Sequence, residues 1–133
     1  MSFKMKATLV LAAGMALATG AMAAQPIIGL ITKTDTNPFF VKMKEGAQAE
    51  AKKAGAKLMT AAGKLDGDTA SQIAAIETMT AAGAKTILIT STGDAVIPAM
   101  KKAQAKGVQF IALDSPMEGA DALFATDNSK QVC

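Results

Sequence analysis

Apolar and polar positions fall into blocks whose period changes along the chain. Ile27 to Thr32 (I-I-G-L-I-T) is a continuous apolar run, too short for a helix and rich in β-branched residues, which predicts a strand buried on both faces. After a polar loop, Lys33 to Asn37, the period becomes helical. Phe40, Met43, Ala47, Ala51 and Ala54 recur at helical spacing, Asn37 is placed to cap, and Pro38 falls in the first turn. This helix is predicted to stop at Gly55. A weaker strand follows, Ala56 to Thr60. Beyond Asp66-Gly67-Asp68, Thr69 and Gln72 read as a T-x-x-Q capping box, and Ile73, Ile76 and Met79 continue as an apolar stripe up to Gly83. Lys85 to Thr90 is the third strand. Asp94 is placed to cap a helix carrying Val96, Ile97, Met100 and Ala103 as far as Gly107, with Pro98 early enough to be tolerated. Val108 to Leu113 is a fourth strand, and the turn-rich loop Asp114 to Asp121 leads to a short fifth, Ala122 to Thr126.

Each predicted helix ends at a glycine, and a strand begins one or two residues later. Strand, helix, glycine, strand, iterated with short loops, predicts an α/β three-layer sandwich: a mainly parallel sheet with helices on both faces. Right-handed crossovers reduce the topology to a few choices, of which a flavodoxin-like strand order fits best. In such a sheet ligands bind beyond the carboxyl ends of the strands. The deciding loops are therefore Lys33 to Asn37, Ala61 to Asp68, Ser91 to Asp94, Asp114 to Pro116, and Asp127-Asn128.

Composition narrows the chemistry those loops can do. The 133 residues contain 14 basic groups, all lysine, against 11 acidic ones, and there is no histidine, arginine, tryptophan or tyrosine. Histidine acid/base catalysis, imidazole or thiolate metal centres, an internal disulfide and bidentate arginine clamps on phosphate or DNA are all excluded. The one cysteine is Cys133, which is free to pair between chains. Lys4 and Lys6, the small apolar run Ala7 to Ala18, and Ala21-Met22-Ala23 form a secretory signal pattern with cleavage after Ala23. The run is too short to span a bilayer, which needs about 20 residues. Removing Lys4 and Lys6 brings the remaining chain close to charge neutrality, so no nucleic-acid footprint remains. The expected organisation is a signal peptide over 1–23, one α/β unit over 24–128, and a short tail over 129–133.

Among the strand-end loops, no G-x-G-x-x-G or G-x-x-x-x-G-K-[ST] offers a phosphate cradle. Hydroxyls, amides and carboxylates remain. Asp114 follows a buried strand and can accept hydrogen bonds from two adjacent hydroxyls of a ligand, or can simply cap its own loop. Phe39 and Phe40 follow Asn37-Pro38 at the mouth of the first helix. One phenyl face turned outward suits the C–H side of a sugar ring, while the alternative buries both in the core. Asp35 and Asp66 do not make a receiver-type magnesium site, because the third strand ends in Thr90-Ser91 and offers no phosphoacceptor.

Five segments together resemble a known family: I-G-L-I-T-K-T-D-T-N-P-F-F (Ile28 to Phe40), A-K-K-A-G (Ala51 to Gly55), G-A-K-T-I-L-I-T (Gly83 to Thr90), F-I-A-L-D (Phe110 to Asp114) and A-T-D-N (Ala125 to Asn128). They are similar to the periplasmic sugar-binding proteins of the ribose-binding type, the soluble receptors of bacterial ABC importers. The resemblance implies an exported monosaccharide receptor that works with ABC membrane subunits and uses no cofactor. It implies that Asn37 hydrogen-bonds the sugar, that Phe39 and Phe40 wall its ring, that Asp114 takes a pair of hydroxyls, and that Lys33 lines the cleft. The ribose-binding pattern has arginine directly after the carboxylate, where this chain has Ser115. Ser115 thus departs from the ribose pattern, while K-T-D-T-N-P-F-F and L-D-S-P resemble relatives that take up fructose, so fructose or ribose is the sugar the resemblance implies.

Family members have two lobes and are more than twice as long, so the resemblance implies the N-terminal lobe alone, with the second lobe absent. A truncated receptor, with weak or no binding and an exposed cleft face open to self-association, is the expectation. Three alternatives belong to other classes. An enzyme would need a base beside Ser91 or Ser115, and a sugar-responsive regulator would carry a DNA-binding helix pair ahead of Ile27, where the export pattern stands. A stand-alone α/β domain could serve in protein interaction.

Overall fold

The computed structural model describes residues 25–126. The expected export segment, Asp127-Asn128, the tail over 129–133 and Cys133 lie outside the described residues. Five strands, β1 (Ile27–Thr32), β2 (Lys57–Ala62), β3 (Thr86–Ile89), β4 (Gln109–Leu113) and β5 (Ala122–Phe124), alternate with three helices, α1 (Pro38–Ala54), α2 (Thr69–Ala81) and α3 (Ile97–Ala105). The sheet has the order β2-β1-β3-β4-β5, and each neighbouring pair is parallel. This is the α/β class and flavodoxin-like order that the repeated strand–helix–glycine pattern predicts. The register aligns Leu30 with Leu88 and Leu88 with Ile111. Odd and even positions of each strand therefore face opposite layers.

One face is densely filled. Ile31, Ile87, Ile89, Phe110 and Ala112 point to one side and pack with Ile76 and Met79 of α2 and with Val96, Met100 and Ala103 around α3. Gly29 lies in β1 on this side, where a Cβ would come within 2.5 Å of Met79 Sδ and 3.2 Å of Ile87 Cγ1. A side chain there has no room, which explains a glycine inside a buried strand. On the opposite face α1 lies over β1 and β2, burying Phe40 and Ala51 against the side that carries Leu30. Leu88, Ile111 and Leu113 on that face are only half-buried. The sandwich is therefore full on one side and partly covered on the other.

Local signals place most element ends. Asn37 caps α1 through Oδ1, which accepts the Phe39 N–H at 2.9 Å, and Pro38 occupies the first turn. Gly55 takes φ 69° and its N–H closes onto Ala51 and Lys52 carbonyls, ending α1. Gly83 and Gly107 likewise have positive φ where α2 and α3 run out.

Four expectations need correction. Thr69 and Gln72 form no capping box: Asp68 caps α2, its Oδ1 accepting the Ser71 N–H at 3.1 Å, and Gln72 turns inward to complete buried hydrogen bonds. Asp94 makes no side-chain cap either. It opens a single 3₁₀ turn, Asp94–Val96, so α3 starts only at Ile97 with Pro98 in its first turn. The second strand runs Lys57–Ala62 rather than Ala56 to Thr60, because pairing with all of β1 carries it two residues further. The fifth strand stops at Phe124, where the β4 ladder ends at Leu113.

Candidate functional site

The carboxyl ends of the strands gather the loops singled out above. Thr32 leads into Lys33, Ala62 into Gly63, Ile89 into Thr90-Ser91, and Leu113 into Asp114. Asp114 adopts φ 68°, the one positive-φ non-glycine residue among the described residues. The Ser115 N–H donates to the Leu113 carbonyl at 2.8 Å across it, and the Asp114 N–H donates to the Phe124 carbonyl at 2.9 Å. These bonds make a γ-turn of the rarer hand, a conformation an L-residue holds only when its surroundings enforce it. It leaves the Asp114 side chain exposed at the end of a buried strand.

The two phenylalanines divide as a helix mouth requires. Phe40 is 6% exposed and Phe39 is 52% exposed. Their rings meet edge to face, centroids 5.2 Å apart at 71°, so the buried ring props the outward one. Phe39 and Asp114 share a hollow of about 390 Å³ with Met43, Leu113, Leu123 and Phe124. Its size suits a small ligand. It offers two phenyl rings, Phe39 and Phe124, an apolar wall and one carboxylate, which is the complement of a ring with a C–H side and a hydroxyl edge.

Phe40 lines a second hollow of about 380 Å³ between α1 and the β1–β2 edge, with Leu30, Thr32, Asp35, Val41, Lys44 and Thr60 among its walls. The structure thus brings Phe39 and Asp114 together and sends Phe40 to the neighbouring hollow. Asn37, half-buried Lys33 and half-buried Ser115 line neither hollow. Asn37 spends its side-chain oxygen on the helix cap, and its amide N–H₂ remains to donate. Met43, Leu113, Leu123 and Phe124 are read from the sequence only as helix or strand positions and not as site residues. Met43 stands four residues after Phe39 and was legible as its partner on one helix face. Leu123 and Phe124 carry no periodic signal in a three-residue strand.

Two carboxylates next to these loops are held ionised by donors. Asp68 lies below the usual carboxylate range because the Lys64 N–H and then the Ser71 hydroxyl and N–H bond its oxygens. Asp121 is lowered by the Phe110 N–H at 2.8 Å and by the Gln104 side chain. Neither faces the Phe39–Asp114 hollow as a lining residue. No group of three or more potential metal-ligating side chains occurs among the described residues.

A parallel sheet of this order, with its polar groups collected at the strand carboxyl ends, is an α/β sandwich of the kind that holds ligands at those ends. Residues 28–132 match the model of the periplasmic binding protein domain, and the chain belongs to that family. It is 37% identical to the ribose import binding protein of Salmonella typhimurium over 134 aligned positions, covering 96% of this chain and 44% of that protein. The solute-binding protein of Agrobacterium radiobacter, solved in complex with D-arabinose, superimposes with a TM-score of 0.72 at 26% identity, covering 80% of this chain and 37% of that one. A periplasmic solute-binding protein of Actinobacillus succinogenes with bound D-allose gives 0.66 at 30% identity, covering 71% and 34%. The chain spans less than half the length of these relatives. They are solute-binding proteins, and their sugars are ribose, arabinose and allose.

Proposed function

We propose that this chain is the N-terminal sugar-binding lobe of an exported receptor that presents a monosaccharide to the membrane subunits of an ABC importer. The observation that carries this reading is the exposed Phe39 face and the Asp114 carboxylate in one hollow at the strand carboxyl ends. Phe39 stacks on the apolar side of the sugar ring. Asp114 accepts from two neighbouring hydroxyls, and Asn37 donates through the amide that its cap leaves free. Phe40 supports Phe39 from beneath, while Lys33 and Ser115 stand at the margins of the site. Family membership and the sugars of the relatives support the class of ligand. The role is binding and delivery rather than catalysis. The Lys4 to Ala23 segment supports export to the periplasm through a cleavable signal.

One lobe supplies one wall of a cleft, so a bound sugar stays partly solvated and its affinity falls below that of a pocket that encloses its ligand. The bare hollow, with Phe39, Leu123 and Phe124 about half or more exposed, also favours association with a second copy.

Calorimetric titration of the purified chain with D-ribose, D-arabinose, D-allose and D-fructose tests the reading. Saturable heat with at least one sugar, lost in Asp114→Ala, is the expected result. A cooperatively folded chain that binds none of them overturns it.

A further inference from the structure

We propose that Gln72 is a positioning residue, whose buried carboxamide ties the carboxyl ends of β1 and β3 and the loop after β3 into one rigid floor for the sugar site. Gln72 is fully buried, although glutamine is rarely found inside. Its Nε2 donates to the Thr90 carbonyl at 2.8 Å and to the Thr32 carbonyl at 3.4 Å. Its Oε1 accepts the Thr92 N–H at 3.0 Å and the Thr92 hydroxyl at 3.3 Å. Both N–H groups and the oxygen are thus engaged. The amide orientation is fixed, because two carbonyls require the N–H₂ end and a backbone N–H requires the oxygen. The tie extends outward: Thr92 Oγ1 lies 3.0 Å from Thr69 Oγ1, and Thr32 Oγ1 donates to the Thr34 carbonyl at 3.0 Å, shaping the first turn of the loop that carries Lys33 and Asn37.

The partners lie where sheet pairing gives out. Thr90 and Thr92 stand beyond the last paired residue of β3, and Thr32 is the last residue of β1. An apolar side chain of similar volume would fill the space but leave the Thr90 carbonyl and the Thr92 N–H buried without these partners. The strand core does not need the tie, because Ile31, Ile87 and Ile89 are already packed against α2. What it adds is the fixed separation of two loops that flank the proposed site. This inference rests on the sugar-binding reading for its functional half and on the hydrogen bonds alone for its structural half.

Gln72→Glu in the full chain separates positioning from bulk stability. A carboxylate still accepts from Thr92 but cannot donate to Thr90 and Thr32, whereas the protonated acid donates to one of them. Burial raises the pKa of such a carboxyl. The charged groups at this end of the sheet are Lys33 and Asp35 in the loop after β1, exposed Lys64 and Asp66 with Asp68 (engaged by Lys64 and Ser71) after β2, exposed Asp94 after β3 and exposed Asp114 after β4.

The affinity of folded Gln72→Glu for whichever sugar binds the parent is expected to fall about tenfold or more between about pH 5 and pH 8 relative to the parent protein. Thr92→Val, a milder change that spares the buried amide, is expected to weaken binding by about two- to tenfold. Equal affinity per folded molecule in both variants at every pH overturns the functional half. Amide hydrogen exchange reads the structural half without any sugar. The Thr92 N–H is expected to exchange at least about tenfold faster in Gln72→Glu at the higher pH while Ile87 and Ile89 keep their protection. Unchanged exchange at Thr92 overturns the tie. A parent chain that binds no sugar, with Thr92 exchange still sensitive to Gln72, refutes the sugar-binding reading and leaves the tie standing.

Discussion

Asp114 combines an unfavourable backbone conformation with an exposed carboxylate. Aspartate and asparagine tolerate positive φ better than other non-glycine residues, so conformation and charge can be varied separately here. Asp114→Asn keeps the turn and removes the ionised acceptor. It is expected to lower sugar affinity about tenfold or more with little change in thermal midpoint, as titration and thermal unfolding would show. Asp114→Gly relieves the backbone and is expected to match or exceed the parent's stability while losing the same affinity. Gly29 is the opposite case, a residue defined by lack of space. Gly29→Ala is expected to cost about 1–3 kcal/mol in chemical denaturation, because Met79 and Ile87 must move to admit the methyl group. The outward and inward phenylalanines were legible as a pair from Asn37-Pro38, since consecutive residues at a helix start point in different directions. Their assignment to two separate hollows was not, because it depends on where α1 sits over β1 and β2.

At the level of elements, the helix and strand blocks could be read directly from periodicity, and the ends that went wrong were set by partners outside the local sequence. The clearest of them, at the start of α2, involves a side chain choosing between a local and a distant partner. Gln72 had a local capping role available and took the buried carbonyls of Thr32 and Thr90 at the ends of β1 and β3 instead, because the cap was already filled by Asp68. Asp68 and Asp121 hold α2 and the β4–β5 junction through hydrogen bonds to their ionised forms. Their pKa values are lowered in the folded state, so the unfolded chain binds protons more readily as acidity rises. Their contribution is present above the unfolded carboxylate range near pH 4 and is lost as pH falls through the lower folded values. Thermal midpoints measured from about pH 6 down to about pH 3 should therefore drop more steeply for the parent chain than for Asp121→Asn. Parallel curves would remove Asp121 from this account.

For the molecule as a whole, the asymmetry between the two sheet faces matters most. The α2–α3 side is filled, whereas Leu88, Ile111 and Leu113 on the α1 side are half-covered and Phe124 is 66% exposed. If that surface supports the proposed association, sedimentation velocity will show concentration-dependent mass above the monomer, and Phe124→Lys will abolish it. A single monomeric boundary at every concentration would refute the idea. The strand order β2-β1-β3-β4-β5 also has a temporal meaning. Every strand after the first pairs with one that precedes it in the chain, so a polypeptide emerging amino end first never waits for a later segment to complete an earlier pair. Assembly can keep pace with emergence, each strand–helix unit closing onto an edge already formed. The cost is that the newest strand is always an open edge, and in the described chain that strand is the three-residue Ala122–Phe124, opposite the other edge at β2.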